Sequence, residues 1–398
     1  MVLAEPIAAP AAAAAPAPES TIPYRDGYWG LVGLVLAWAL VMALRPSPFI
    51  GAPLIVLATA LPMLVLEWRR AGPAARQSQT HAPLAYLVGL GLALAPFIAI
   101  HAQAQGLLAW LVAALVAAPA LGLRLVLEAV RNGAITGGFP AALGRALLPP
   151  RRDRLAALAP AARLFALKAF FIPLYGASLF ALVKLGLAVE TGTAGGWLLL
   201  AVVFAYTIDL GFGLAGYVFA SNDLVPTVRS TQRLVLGWVA CLVCYGPVFA
   251  HWPDFATVVH AEIGWPEGFV ATAATVPAAL LLLGLLALYV SASVHFGLRF
   301  SNLCNRGVLT AGPYRYMKHP AYFAHVANAW LLCLVLLPAG GVPTGPALWL
   351  VPVAFTLFYW LRAKTEEQHL REEPAYVAYA EWIAQNGILA RLRRVVWL

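Results

Sequence analysis

Runs of apolar residues recur along almost the whole chain, at about 29–44, 49–67, 84–101, 106–128, 164–188, 196–220, 234–251, 274–297, 324–338 and 346–361. A helix rises 1.5 Å per residue, so roughly 20 such residues cross the hydrocarbon core of a bilayer. Inside lipid every backbone N–H and C=O must be paired within the protein, which leaves only helices or closed barrels. The runs lack the alternation of barrel strands. They predict an all-α polytopic transmembrane protein of roughly ten spans, the ninth of them short. The residues between agree with this. Only 11% of the 398 residues are charged and 62% are hydrophobic, whereas a soluble domain carries about 25% charge.

The formal net charge of +9 raises the question of nucleic acid, and the loops answer it. Arg69, Arg70 and Arg76 fall in one loop, and Arg131, Arg145, Arg151, Arg152, Arg154 and Arg163 in the second loop after it. Arg229 and Arg233, then Arg299, Arg306, Arg315 and Lys318, then Arg391, Arg393 and Arg394 continue the alternation, while the 252–273 loop carries Asp254, Glu262 and Glu267. Basic residues in every second loop are the signature of cytoplasmic connections, with both termini on that side. The partner implied is a membrane, not nucleic acid. Residues 1–24 begin with an Ala/Pro-rich stretch and read as a disordered tail, and 129–163 mixes Leu and Arg as an amphipathic surface segment would. The expected division is this tail, an N-terminal helical region over 25–273, and a C-terminal unit over 274–398. Cys241 and Cys244 form a CxxC inside an apolar run, without the flanking His or second pair a zinc site needs. They read as packing residues, and no metal is expected.

Two polar clusters interrupt the apolar pattern near the end. The first, Asn305 to Tyr322, contains "GPYRYMKHPAY"; the second, Tyr359 to Trp382, contains "RAKTEEQHL". A short apolar hairpin over about 324–361 joins them, so both return to one side of the membrane. In the first, Gly312 permits a tight turn, Pro313 and Pro320 fix the backbone, and Tyr314, Tyr316 and Tyr322 offer aromatic faces. Such faces stack on a purine or stabilise a cation. In the second, Arg362, Glu366 and Leu370 share a helix face, with Glu367 beside them. Carboxylates accept ribose hydroxyls, and an Arg pairs with a carboxylate. Interfacial anchoring accounts for either cluster alone; two at the ends of one hairpin point to a site.

"GPYRYMKHPAY" resembles the GPYRxxRHPxY motif of the membrane methyltransferases that include isoprenylcysteine carboxyl methyltransferase and phospholipid N-methyltransferases. "RAKTEEQHL", with Tyr376 and Tyr379 downstream, is similar to that family's RxxxEExxL…YxxY segment. The resemblance covers about the last third and is closest to long bacterial chains, so it implies a bacterial inner membrane location. It also implies S-adenosylmethionine as cofactor, held by Gly312, Pro313, Tyr314, Lys318, His319, Pro320, Tyr322, Arg362, Glu366 and Glu367. His319, Arg315 and His295 are the candidates for catalysis, and Arg299, Tyr316 and Tyr376 for the acceptor. Lys318 stands where the family more often has Arg, Glu373-Pro374 replaces a Phe-Gly, and a proline near the end is missing. These departures bear on the acceptor more than on the cofactor.

Methyl transfer needs donor and acceptor held in line and water kept out, and orientation alone supplies roughly 7–11 kcal/mol. A carboxylate acceptor needs no base; an amine must first lose a proton, with His319 or His295 to assist. The expected acceptor is a lipid or lipid-linked molecule entering from the bilayer, a carboxylate by resemblance and a phospholipid amine second. Asp209, alone in an apolar run, costs roughly 2.5–3.5 kcal/mol to insert, and reads either as a functional group or as a buried partner of a neighbouring helix. The loop "SNDLVPTVRSTQ" reads as a connection or an entrance cap. An NADPH-dependent membrane reductase of the sterol type is the competing enzyme class, though its arginine is followed by Asp and Cys features where this chain has Glu366-Glu367. A transporter would need polar residues at the midplane of several spans.

Overall fold

The computed structural model describes residues 16–70, 107–132, 143, 159–220, 228–245, 272–273, 275–339 and 345–396. The long helices are α1 (Asp26–Leu44), α2 (Pro48–Arg70), α3 (Leu107–Asn132), α4 (Ala159–Ala188) and α5 (Ala194–Phe219). A two-residue strand β1 (Ser230–Thr231) and the short helix α6 (Val235–Leu242) follow. The C-terminal part holds α7 (Thr275–Phe296), β2 (Cys304–Asn305), α8 (Pro320–Ala339), α9 (Pro346–Leu370), α10 (Pro374–Asn386) and α11 (Ile388–Val396). Seven of the described helices, α1 to α5 with α7 and α8, are long and apolar enough to cross a membrane. The protein is thus all-α and polytopic, apart from the antiparallel pair of β1 and β2.

Two expected spans are short or not seen, and a third runs on into the polar cluster. The run 84–101 lies outside the described residues. Of 234–251, the described part is the eight-residue α6 and the turn after it. The run 346–361 is the first part of α9, which carries on as one helix into the polar cluster. The ninth span is longer than expected because α8 starts inside the motif, with Pro320 at its first helical position, where a missing N–H costs nothing.

Lipid supplies no hydrophobic drive between helices, so close packing of small residues holds them together. A Cβ on Gly27 would lie 1.7 Å from the Val294 carbonyl oxygen of α7, and one on Gly33 2.0 Å from that of Ala58 in α2. The main core runs through α1 to α5 and takes in Val294 and Leu298 from the C-terminal part. The two expected regions therefore share one packed interior.

Polar contacts gather at one end of the bundle. Asp26, Glu67, Arg70 and Arg299 form a linked ion cluster; Arg163 donates to Thr231 at 3.0 Å; Arg229 pairs with Glu373. These residues belong to the connections that the basic pattern put on one side. Arg45, bonded to the Leu187 carbonyl, belongs to the intervening ones.

The tail expected to be disordered over 1–24 is not so throughout. Thr21 exchanges hydrogen bonds with Val308, N–H to carbonyl at 2.9 Å and hydroxyl from the Val308 N–H at 2.8 Å. Ser20 accepts from the Thr310 N–H at 2.9 Å, and Ile22 is buried beside Leu309 and Tyr314. A segment before α1 is ordered because it pairs with an edge some 290 residues away, which local composition does not reveal. The amphipathic segment expected at 129–163 lies mostly outside the described residues.

Candidate active site

The turn Gly312–Arg315 is built from its first residue. Gly312 has φ +59°, a left-handed conformation that suits glycine, and a Cβ there would sit 2.2 Å from Nε2 of His295. Tyr314 is buried against Phe296, ring centroids 5.2 Å apart. The Tyr379 hydroxyl of α10 donates to the Tyr314 carbonyl at 2.6 Å and braces the turn from behind. The chain then presents Lys318 and His319 just before α8 begins at Pro320.

Helix α9 meets this edge. The Tyr322 hydroxyl donates to Oε2 of Glu366 at 2.5 Å. Nζ of Lys318 lies 2.6 Å from Oε1 of Glu367, and Nε2 of His319 lies 3.1 Å from the same oxygen. Burial pushes the Glu367 carboxyl up, but its hydrogen bonds from His319 and Lys318 outweigh that and hold it at about 2. One turn earlier, Arg362 is buried. It donates to Oδ1 of Asn302 and, at 3.3 Å, to the Tyr245 hydroxyl. Its guanidinium lies over the Tyr322 ring at 4.7 Å and the Tyr359 ring at 5.6 Å. The two motif segments thus form one connected edge.

That edge borders a cavity of about 520 Å³. Its polar end is lined by Asn302, Lys318, His319, Tyr322, Arg362 and Glu366; its other end by residues of α4, α5 and α7, among them Asp209, Tyr289 and Ser293. Of the residues expected from sequence, Tyr314, Lys318, His319, Tyr322, Arg362 and Glu366 line the cavity, and Glu367 braces two of them from outside it. Gly312, Pro313 and Pro320 shape the backbone.

The structure does not bring the other candidates to the cavity wall. His295 is buried between Tyr24, stacked at 6.0 Å, and the Tyr28 hydroxyl at 2.9 Å. Arg299 is paired with Glu67. Arg315 and Tyr316 are exposed. Tyr376 is buried with Val308 and Tyr379. Asp209 accepts from Ser293 at 2.5 Å, as a buried partner of a neighbouring helix does, and it also lines the cavity. Cys241 is buried, and Cys244 beside it lines the cavity and bonds the Ala240 carbonyl. Of "SNDLVPTVRSTQ", the described residues pair with Asn305 and Cys304, and Ser230 lies 2.9 Å from Nε2 of His369.

Asn302, Tyr245, Tyr289 and His325 also line the cavity and were not singled out from sequence. His325 stands three residues beyond "GPYRYMKHPAY" and Asn302 three residues before the first cluster begins at Asn305, so both had a local signal. Tyr245 and Tyr289 lie in apolar runs, where only a phenol hydroxyl among aliphatic residues marks them.

A helical bundle with seven helices long and apolar enough to cross a membrane, and a polar edge beside a cavity, defines a polytopic membrane protein. Residues 274–372 match the family model described as the isoprenylcysteine carboxyl methyltransferase (ICMT) family. That segment is about a quarter of the chain and holds both motifs, and the match likens this part of the chain to that family of methyltransferases. Comparisons with curated proteins and with solved structures return no match.

Proposed function

We propose that the protein is an integral membrane methyltransferase that uses S-adenosylmethionine and acts on a lipid or lipid-linked acceptor reached from the bilayer. The observation that carries this is the meeting of two motif segments, some 40 residues apart, across one cavity: Tyr322 on Glu366, and Lys318 and His319 on Glu367. The residues present suit that cofactor. A cation, a free-edged carboxylate and aromatic faces share a space of about 520 Å³, within the range of roughly 300–1,000 Å³ that small ligands occupy.

The cofactor supplies a methyl group on a positively charged sulfur. Arg362 offers its donors to a carboxylate and is itself fixed by Asn302 and the flanking rings. Glu366, with its side chain 38% exposed, has acceptor capacity left for ribose hydroxyls beyond the bond from Tyr322. Glu367 is committed to Lys318 and His319 and so positions both. His319, oriented by that bond and stacked on Tyr322 at 5.1 Å, is the group placed to take a proton from an acceptor that must lose one. The aromatic wall keeps water from the reacting groups. By the distribution of basic loops this end faces the cytoplasm, where the cofactor is dissolved.

Calorimetry in detergent with S-adenosylhomocysteine tests the reading. Glu366→Ala and His319→Ala should each bind at least about tenfold more weakly, the loss of one hydrogen bond to a charged group. Parent-like affinity in both variants means the site is elsewhere. Binding of NADPH without the sulfur analogue would favour a reductase instead. Label from a methyl-tritiated cofactor should appear in solvent-extractable lipid; label confined to a water-soluble product would remove the lipid acceptor.

A further inference from the structure

The far end of the cavity has a chemistry of its own. Asp209 of α5 is buried, 3% exposed, yet it lines the cavity. Ser293 donates to its Oδ1 at 2.5 Å, and Tyr289 gives a second hydrogen bond. A carboxylate has about four acceptor positions, so these two leave room for a further donor. The surroundings are aromatic. The rings of Tyr289 and His325 lie 4.3 Å apart, those of His325 and Tyr359 5.5 Å, and those of Tyr206 and Tyr289 6.3 Å. All four line the cavity. Arg362 lies over the Tyr359 ring and within electrostatic range of Asp209, but its donors are already engaged by Asn302 and Tyr245.

A carboxylate among aromatic rings, with acceptor positions left over, is a setting for an ammonium group. The carboxylate supplies charge and hydrogen bonds, and the ring faces attract a cation through their quadrupoles. A ligand carboxylate placed there would meet Asp209 as a like charge in a low-dielectric wall, which is costly. Aliphatic residues of α4 and α5, Leu174, Leu182 and Leu210, also line the cavity, with Ser178 among them. Ala181, which also lines it, is exposed on the membrane-spanning helix α4. An apolar tail therefore has a path of aliphatic wall toward the lipid side.

We infer that the Asp209 end is the acceptor subsite and that it takes an amphipathic amine, its nitrogen on Asp209 and its tail along α4 and α5. This rests on the methyltransferase reading for the word acceptor, and it sets an amine in place of the carboxylate that the family resemblance suggests. The subsite is supplied by α5 and α4 as well as α7, so most of it lies outside the matched residues 274–372.

The test is equilibrium binding of tritiated hexadecylamine and hexadecanoate to the full chain in lipid nanodiscs, with empty nanodiscs subtracted, and of S-adenosylhomocysteine to the same samples. The parent should bind the amine saturably and more tightly than the acid. Asp209→Asn, nearly isosteric, should weaken the amine at least about tenfold, the worth of a charge-assisted hydrogen bond, and leave the sulfur analogue within about twofold. Unchanged amine affinity in Asp209→Asn, or tighter binding of the acid than the amine by the parent, overturns the inference. So does a loss of S-adenosylhomocysteine binding in Asp209→Asn, because Asp209 would then serve the cofactor. If the parent binds the amine through Asp209 but does not bind S-adenosylhomocysteine, the proposed cofactor falls and the amine subsite stands. Ala181→Phe narrows the same end without touching the carboxylate and covers the case in which Asp209→Asn does not fold. It should lose amine binding and keep the sulfur analogue, and unchanged amine binding there counts against the subsite.

Discussion

The two ends of the cavity are built on different plans. At the polar end the charged groups come from two neighbouring stretches of chain, and they largely satisfy one another: Glu367 takes Lys318 and His319, and Glu366 takes Tyr322. At the Asp209 end one carboxylate is set among rings from α5, α7, α8 and α9, with Ser293 and Tyr289 as its donors. The first plan gives a rigid, prepaired edge suited to a ligand with several charges. The second gives a single charge in a greasy recess, where a lone ligand group decides whether binding gains or costs. A charge in such a place has no water to fall back on, so selectivity for the sign of the ligand is sharper there.

Substitutions that separate the ends sharpen this contrast. The largest effect is expected at Arg362. Arg362→Met removes the donors to Asn302 and Tyr245 and the cation over Tyr322, and should weaken S-adenosylhomocysteine at least about 100-fold, the loss of roughly two charged hydrogen bonds. Hexadecylamine binding should change far less. Equal losses for both ligands would merge the two ends into one site.

Gly312→Ala comes next. It puts a side chain at φ +59° and a Cβ 2.2 Å from His295, so unfolding in detergent should become easier by about 2 kcal/mol, the left-handed penalty with some relaxation. Stability equal to the parent would show that the turn is not held where it is drawn.

Glu367→Gln keeps the shape and removes the charge. Analogue binding should fall about tenfold, as Lys318 and His319 lose their shared anchor. The pH dependence has a definite sign. Burial raises the Glu367 carboxyl, its partners lower it further, and the net value is about 2 against an ordinary 4.5. Its contribution is therefore complete above pH 4.5 and is lost as the pH falls from there toward about 2. Chemical unfolding measured across that window should show an acid-side loss in the parent that Glu367→Gln lacks; identical profiles would mean that the Lys318 and His319 contacts do not form. The smallest effect is expected for Thr21→Val, which removes the hydroxyl bonded to the Val308 N–H. It should cost about 1 kcal/mol and leave both ligands bound as before. A change in affinity would tie the N-terminal strap to the site.

The polar end was legible in the sequence because its parts are close in the chain. "GPYRYMKHPAY" and "RAKTEEQHL" each hold several of the side chains within a turn or two, and a hairpin must return the second to the side of the first. Arg299 and His295 show the limit. Both stand just before the motif, yet Arg299 is drawn to Glu67 of α2 and His295 to Tyr28 of α1, partners that no local pattern announces. Asp209 was visible as an isolated charge, but its two readings stayed open because nothing near it in the chain says which helix it faces.

Hydrophobic run lengths by themselves determined a membrane-spanning helical chain, since a bilayer admits few alternatives, and short-range motifs determined the polar edge. Only the tertiary structure decided that α4 and α5, far from the motifs, complete the cavity, that Ser293 and Tyr289 attend Asp209, and that Pro18 to Tyr24 lies along 308–310 rather than free. Periodicity and spacing act within a few turns of one element, whereas these contacts depend on which small residues let which helices approach, as Gly27 does with Val294 and Gly216 with Phe300.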